Sequence, residues 1–297
     1  MKEAAGILVR PLVEADIPAA MSLKEAAGWN QTGADWLRLL RLGPRGCFAA
    51  ALDGRLVGTV TTTAYGRELA WVGMVLVDPS FRRRGIASRL MEAALSHLDG
   101  EGVRTVKLDA TPDGRHVYER LGFEDELTIE RWSGRGRNGA FSKEVGGESV
   151  RGDAACSAID SARLEGIFEL DRAAFGADRA RLVEALAAQA LAGAFVEGRR
   201  GGAGGYVLAR AGSAADYVGP LVAHDPSAAA LLLDEVLARL AGRPVYLDAN
   251  TSFESATRAL AERGFRKQRE LIRMRRGAET GAGTSPAVFA IAGPEVG

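Results

Sequence analysis

The sequence predicts a mixed α/β fold used twice: two tandem copies of one unit, each a mixed, mostly antiparallel sheet flanked by helices. Three observations predict it. Apolar strand-like runs alternate with amphipathic helical runs through the chain. The two halves repeat one another: Trp71 to Pro79 aligns with Tyr217 to Pro226, one residue longer, Val106 to Thr111 with Val245 to Asn250, and Glu119 to Phe123 with Ala261 to Phe265. Between them, Ser133 to Ser149 exchanges apolar period for glycine and charge, as a linker does. Residues 1–133 are therefore expected to form a first domain, 134–158 a linker and 159–297 a second domain, and 297 residues suffice for two cores.

Taken in order, Ile7 to Leu12 reads as a strand closed by Pro11, and Glu14-Ala15-Asp16 opens a helix carrying Ile17, Met21 and Leu23 that ends near Gly28. A polar loop, Trp29 to Thr32, leads to a second helix from Asp35 to Leu42. Cys47 to Ala50 and Leu56 to Thr63 flank Asp53-Gly54, a hairpin turn. Glu68 to Val77 is apolar after its first residue, as a central strand should be, and Gly73 within it marks a bulge or a close backbone approach. A helix from Gly85 to Leu98, a strand from Thr105 to Asp109, a loop over Ala110 to Gly114 and a short helix stopped by Gly122 complete the first half. The second half opens with helical patterns at 162–175 and 179–192, then a strand pair turning at Gly198 to Gly202. Its last apolar run, Val288 to Ile291, offers a closing strand.

The chemistry concentrates where the central strand ends. Val75, Leu76 and Val77 run into the turn Arg82-Arg83-Arg84-Gly85-Ile86-Ala87-Ser88, which opens a helix. First-turn amides have no partner inside a helix, and with the helix dipole and three guanidinium groups they make one anion site. The form R-x-x-G-x-A between strand and helix, followed by Tyr118-x-x-x-Gly122-Phe123, resembles the GNAT superfamily of N-acetyltransferases, in tandem over nearly the whole chain.

That resemblance implies an acetyl-CoA site: Arg82 to Ser88 hold the pyrophosphate, and the main chain of Val75, Leu76 and Val77 pairs with the pantetheine arm. It implies Tyr118 as the general acid for the departing thiolate, whose proton affinity suits a phenol. It also places Trp29, Asn30 and Trp71 on the acceptor side. No acid lies within the central strand, so the base stays open between Glu68 and Glu126, with Asp109 ranked lower. In the second half the cradle is replaced by Asp225 to Ala230 and Tyr118 by Leu260, so the first copy is expected to be active and the second degenerate.

The expected reaction is transfer of an acetyl group to a primary amine of a small molecule, by direct attack in a ternary complex. Protein or peptide N-acetylation, and a non-catalytic acyl-CoA sensor, are the alternatives. Lys and Arg number 38, as do Asp and Glu, so no net field points to nucleic acid or membrane. Two cysteines are too few for a disulfide framework or zinc site, and no metal is expected. The arginine runs 131–137 and 273–276 read as solvated faces. With no membrane-length apolar run or signal-peptide pattern, a cytoplasmic protein is expected, a monomer with an internal pseudo-dimer or a homodimer.

Overall fold

The computed structural model describes residues 6–137, 156–198, 202–252 and 254–297. Of the expected linker, residues 138–155 lie outside that set, as do Arg199 to Gly201 of the expected turn. The first half supplies β1 (Ile7–Pro11), α1 (Ile17–Ala26), α2 (Gly33–Leu42), β2 (Phe48–Leu52), β3 (Arg55–Tyr65), β4 (Leu69–Val77), α3 (Ile86–Gly100), β5 (Thr105–Ala110), α4 (Pro112–Glu119) and β6 (Glu124–Arg135). The second supplies α5 (Leu164–Phe175), α6 (Ala180–Ala187), β7 (Ala192–Glu197), β8 (Ala203–Arg210), β9 (Asp216–Ala223), α7 (Pro226–Arg239), β10 (Pro244–Asn250), α8 (Glu254–Glu262), β11 (Arg266–Gly277) and β12 (Val288–Ala290).

Two compact units form, and they cut across the sequence halves. One comprises the chain up to Glu126 together with Ile272–Thr280 and Pro294–Gly297; the other comprises Leu127–Leu271 and Gly281–Gly293. In the first unit β1 to β4 pair antiparallel in order and β5 joins β4 in parallel. The far edge of β5 is closed by Ile272 to Gly277 of β11, which come from the second half. In the second unit β7, β8 and β9 pair antiparallel, and β10 is closed by β6, from the first half. Each half thus lends its last long strand to the other's sheet.

This exchange corrects the reading of the basic runs. Arg131 and Arg273 are not solvated: they are 3% and 0% exposed, each forked onto a buried aspartate. Alternation along a strand decides it, because every second residue of a strand covered on one face must point inward.

In the first unit, α3 buries Ile86, Leu90, Met91, Ala94 and Leu98 against Val60, Ala70 and Val72. Cys47 lies in that unit's interior, where burial raises its thiol to about 11 and leaves it protonated and unreactive. Helix α2 starts at a capping box, Thr32 accepting from the Asp35 amide while the Asp35 carboxylate accepts from the Thr32 amide. The helix expected at 179–192 stops at Ala187, because Ala192 already pairs with Ala209 as β7. No helix of the described residues is long and apolar enough to cross a membrane.

Candidate active site

The loop between β4 and α3 is ordered by its own side chains. Asp78 accepts from the Ser80 amide at 2.8 Å and pairs with Arg55 at 2.6 Å. The Phe81 ring takes the guanidinium groups of Arg55 and Arg84, at 5.5 and 5.1 Å. Arg83 (φ +60°) and Gly85 (φ +76°) are both left-handed, which curls the main chain into a concave nest at the start of α3. The first helical bond, from the Arg89 amide to the Gly85 carbonyl, leaves the N–H groups of Ile86, Ala87 and Ser88 ahead of the ladder.

Helix α3 has no side-chain cap, and a Cβ placed on Gly85 would meet no atom within 4 Å. Arg82, Arg83 and Arg84 are exposed around it. A diphosphate fits this donor set: it has oxygens for the amides and charge for the guanidinium groups.

Strand β4 is distorted just before this loop. Thr59 and Thr61 pair with Leu76 and Gly73, so β4 carries one residue more than β3 over that interval. Met74, within the bulge, has φ +49°, strain for a side chain with a Cβ, and its carbonyl accepts from the Thr59 hydroxyl at 2.8 Å. Ladder pairing between β4 and β5 is confined to Ala70 and Trp71 with Val106 and Lys107. Beyond Trp71 the strands diverge, and the β5-facing edge at Val75 to Val77 enters no ladder among the described residues.

Helix α4 begins earlier than the expected loop at 110–114 allowed. Pro112 takes the first helical position and the Thr111 hydroxyl accepts from the Gly114 amide at 3.3 Å. Tyr118 is half-buried, its ring edge-on to Phe123 at 6.1 Å, in the same apolar cluster as Val75, Val77, Phe81 and Ile86. The fold thereby brings the expected acid together with the strand and loop expected to hold the coenzyme. Burial pushes its phenol above the ordinary value of 10.0.

Each of the expected bases faces a cation. Glu68 is largely exposed and pairs with Arg104 at 3.3 Å. Glu126 accepts from buried Lys107 at 2.7 and 2.8 Å and neutralises it; burial, only partly offset by Glu126, lowers that ammonium from its ordinary value. The Asp109 side chain is fully buried and takes Arg273 at 2.8 and 2.9 Å. None of these three lies at the β4 bulge.

Residues near the chain's end do. Pro294 to Gly297 lie across the face of β4 opposite α3. Trp71 Nε1 donates to the Pro294 carbonyl at 3.1 Å, and the Tyr65 hydroxyl to the Val296 carbonyl at 2.6 Å. Gln31 Nε2 donates to Glu295 Oε2 at 2.9 Å, and Glu295 is only 3% exposed. Trp71 is fully buried and carries the Arg273 guanidinium 4.5 Å above its ring. Of the expected acceptor-side residues, Asn30 is buried, and Trp29 half-buried, in the loop that also presents Gln31. Sequence reasoning passed over Gln31, Tyr65 and Glu295; the one available signal was Gly73, whose lack of a side chain is what admits Glu295.

The second unit differs at each corresponding place. Strands β9 and β10 pair in parallel at Asp216 to Val218 with Val245 to Leu247, and β12 then enters between them. Val288 and Ala290 pair with Val222 and Leu221 on β9, and Ala290 with Ala249 on β10. The expected closing strand is therefore an internal one. The first turn of α7 is capped by the Asp225 carboxylate, which accepts from the Ala228 amide at 2.9 Å. Leu260, in Tyr118's place, is buried in that unit's core.

Comparison with known proteins points one way. Residues 17–123 match the model of the acetyltransferase (GNAT) family, and residues 167–290 that of an acetyltransferase (GNAT) domain. The uncharacterized N-acetyltransferase YitH of Bacillus subtilis is 26% identical over 87% of this chain and 88% of its own. A mycothiol acetyltransferase of Gordonia bronchialis is 36% identical, but over only 33% of this chain and 34% of its own. Among solved structures, a Pyrococcus horikoshii protein provisionally assigned as an acetyltransferase superposes with TM-score 0.81 at 22% identity, covering 99% of this chain and 96% of its own. A tandem GNAT protein from the clavulanic acid biosynthesis pathway gives 0.64 at 18% identity, covering 92% and 99%.

Proposed function

Because the chain is a tandem GNAT acetyltransferase, one GNAT domain in each half, we propose that its first unit is the catalytic copy and transfers an acetyl group from acetyl-CoA to a primary amine of a small molecule. The observation that carries this reading is the contrast between equivalent gaps. In the first unit β4 and β5 diverge beside a helix start with no side-chain cap; in the second, β12 occupies the divergence of β9 and β10, and a carboxylate caps the helix where a diphosphate would sit. One anion excludes another at a single helix N-terminus.

Acetyl-CoA, when bound, supplies the activated acetyl thioester. The chain supplies the rest. Arg82 to Ser88 bind the diphosphate, and the unladdered edge of Val75 to Val77 aligns the arm that follows it. Tyr118, kept protonated by burial, donates its phenolic proton to the departing sulfur. The face of β3 and β4 opposite α3 is buried and polar, which suits a small acceptor.

Hydrogen–deuterium exchange with and without acetyl-CoA, read beside thiol release over an amine panel, tests the reading. Protection is expected over 75–88 and not over 218–233, with amine-dependent thiol release. Protection confined to the second unit, or no thiol release with any amine, overturns it.

A further inference from the structure

Resting on that reading, we infer that Thr59 is a positioning residue for acetyl transfer: its hydroxyl holds the Met74–Val75 peptide so that the Val75 N–H points into the divergence of β4 and β5, where the thioester oxygen gains charge.

The bulge creates the need. Between the pairs Thr59–Leu76 and Thr61–Gly73, Val60 alone faces both Met74 and Val75, so the ladder cannot serve both residues of β4. Met74 is buried and has φ +49°, a conformation unfavourable for a residue with a Cβ. Left without a partner, its peptide would be free to rotate out of that strain.

Thr59 supplies the partner. Its hydroxyl donates to the Met74 carbonyl at 2.8 Å, and Thr59 itself is fully buried, so solvent does not compete for the bond. A side chain of β3 thus takes the place of a main-chain donor, at the one point where β4 is distorted.

The direction of the N–H follows from planarity. The Met74–Val75 bond is trans, and a trans peptide points its C=O and N–H to opposite sides. The carbonyl turns to β3, so the Val75 N–H turns away from it, to the side where β5 pairs with β4 only as far as Trp71. Val75 also shares one apolar cluster with Tyr118, which donates the proton to sulfur in the proposed reaction.

The step balances as follows. The lone pair of the neutral amine forms the C–N bond to the thioester carbon, and the carbonyl π pair moves onto oxygen, where the Val75 N–H meets the new charge. As that pair returns, the C–S bond breaks and the sulfur leaves with its electrons. The sulfur takes the Tyr118 proton, and the surplus proton on nitrogen restores the phenol. A donor fixed beforehand costs no reorganisation at this moment, whereas a peptide free to swing does.

Thr62 provides the comparison. It is buried on the same strand and donates to a carbonyl in the same way, to Gly46 at 2.9 Å, but that carbonyl lies outside β4. A hydroxyl that only satisfies a buried carbonyl would behave alike at both positions.

Thr59→Val, Thr59→Ser and Thr62→Val are therefore compared in the full chain by thiol release with the amine panel, by acetyl-CoA titration, and by the Val75 amide resonance of the free protein. Thr59→Val keeps the shape and loses the hydroxyl. It should lower kcat by about tenfold or more while acetyl-CoA affinity and the acceptor KM hold, and it should move the Val75 resonance. Thr59→Ser should restore both, and Thr62→Val should leave both as in wild type. Wild-type kcat in Thr59→Val, an equal loss in Thr62→Val, or a Val75 resonance indifferent to the hydroxyl overturns the inference. A wild type that releases no thiol with any amine fails the acetyl-transfer reading itself; the Val75 resonance, which needs no turnover, tells that failure apart from a failure of Thr59.

Should Thr59→Val not fold, Thr59→Cys is read in its place. A thiol is a weak donor, so kcat should fall in the same sense by a smaller factor. An unchanged kcat is equally fatal.

Discussion

Arg273 donates to both carboxylate oxygens of Asp109, at 2.8 and 2.9 Å, with both side chains fully buried. Arg131 does the same to Asp248, at 2.7 and 2.6 Å. Each arginine comes from the last long strand of one half and each aspartate from the strand of the other half that it closes, β5 or β10, so the exchange of strands is sealed by two reciprocal buried ion pairs. Each guanidinium also lies near the aromatic ring at the matching place of its sheet, Trp71 or Tyr217. Removing one partner should leave a buried charge uncompensated. Asp109→Ala is expected to cost about 3–5 kcal/mol in urea unfolding, and adding Arg273→Met should recover much of it. A double variant no more stable than the single one contradicts this account.

The exchange also bears on whether the halves fold alone. A fragment of residues 1–137 lacks Ile272 to Gly277, which cover β5, and Pro294 to Gly297, which cover Trp71. It would expose an unpaired strand edge above a buried aspartate. Expressed alone it should aggregate or give poorly dispersed NMR spectra, and co-expression with residues 146–297 should restore a soluble complex. A well-dispersed isolated fragment argues against strand exchange.

Much of this was legible in the sequence for a physical reason: the signals were local. The Asp53-Gly54 hairpin, the β4 to α3 turn and the Gly122 stop each depend on a few neighbouring residues, and the internal repeat displayed the duplication directly. Two kinds of information were not local. Basic runs around Arg131 and Arg273 look solvated until the partner strand is known, because their aspartates lie 117 and 164 positions away. Glu295 sits in an unremarkable Gly-Pro-Glu-Val stretch, and its partner Gln31 lies 264 positions distant. At the second unit, Val288 to Ala290 announce a strand, but no periodicity says that it enters between two others.

Tyr118→Phe removes the phenolic proton while keeping the ring against Phe123. It should lower kcat by roughly 10²-fold or more with acetyl-CoA affinity unchanged. Because burial raises the phenol above 10.0, the wild-type acid stays protonated as pH rises, and no alkaline loss of rate below about pH 10 should trace to it. A wild-type alkaline limb near pH 8 that disappears in Tyr118→Phe would contradict this.

Acid stability has a local contribution in the first unit. Asp16 accepts from Arg10 at 2.7 and 2.8 Å, and that bond, followed by the Val13 amide, holds its carboxyl below the ordinary 3.8. A carboxylate with a depressed folded value stabilises the fold fully above its unfolded value, and the contribution is lost as pH falls through the folded one. The pair is partly exposed, so Asp16→Asn should cost no more than about 1 kcal/mol at pH 7. The difference from wild type should narrow as pH falls below 3.8. A gap that stays constant as the pH is lowered would assign the effect to the lost backbone contact alone.

The seat of Glu295 makes Gly73 and Gly85 a discriminating pair. At Gly85 the obstacle to a side chain is conformational: φ is +76° and the space is open. Gly85→Ala should therefore cost about 1–2 kcal/mol and weaken acetyl-CoA binding as the nest relaxes. At Gly73 the obstacle is contact, since a methyl would lie 2.6 Å from the Glu295 Cα. Main chain cannot rotate away as a flexible side chain can, so Gly73→Ala should push residues 294–297 off β4 at a cost of about 1–3 kcal/mol. Hydrogen–deuterium exchange should then rise over 290–297 while acetyl-CoA affinity holds. The two substitutions would thus separate loss of donor binding from loss of packing; Gly73→Ala with unchanged exchange over 290–297 would mean that Gly73 does not seat that segment.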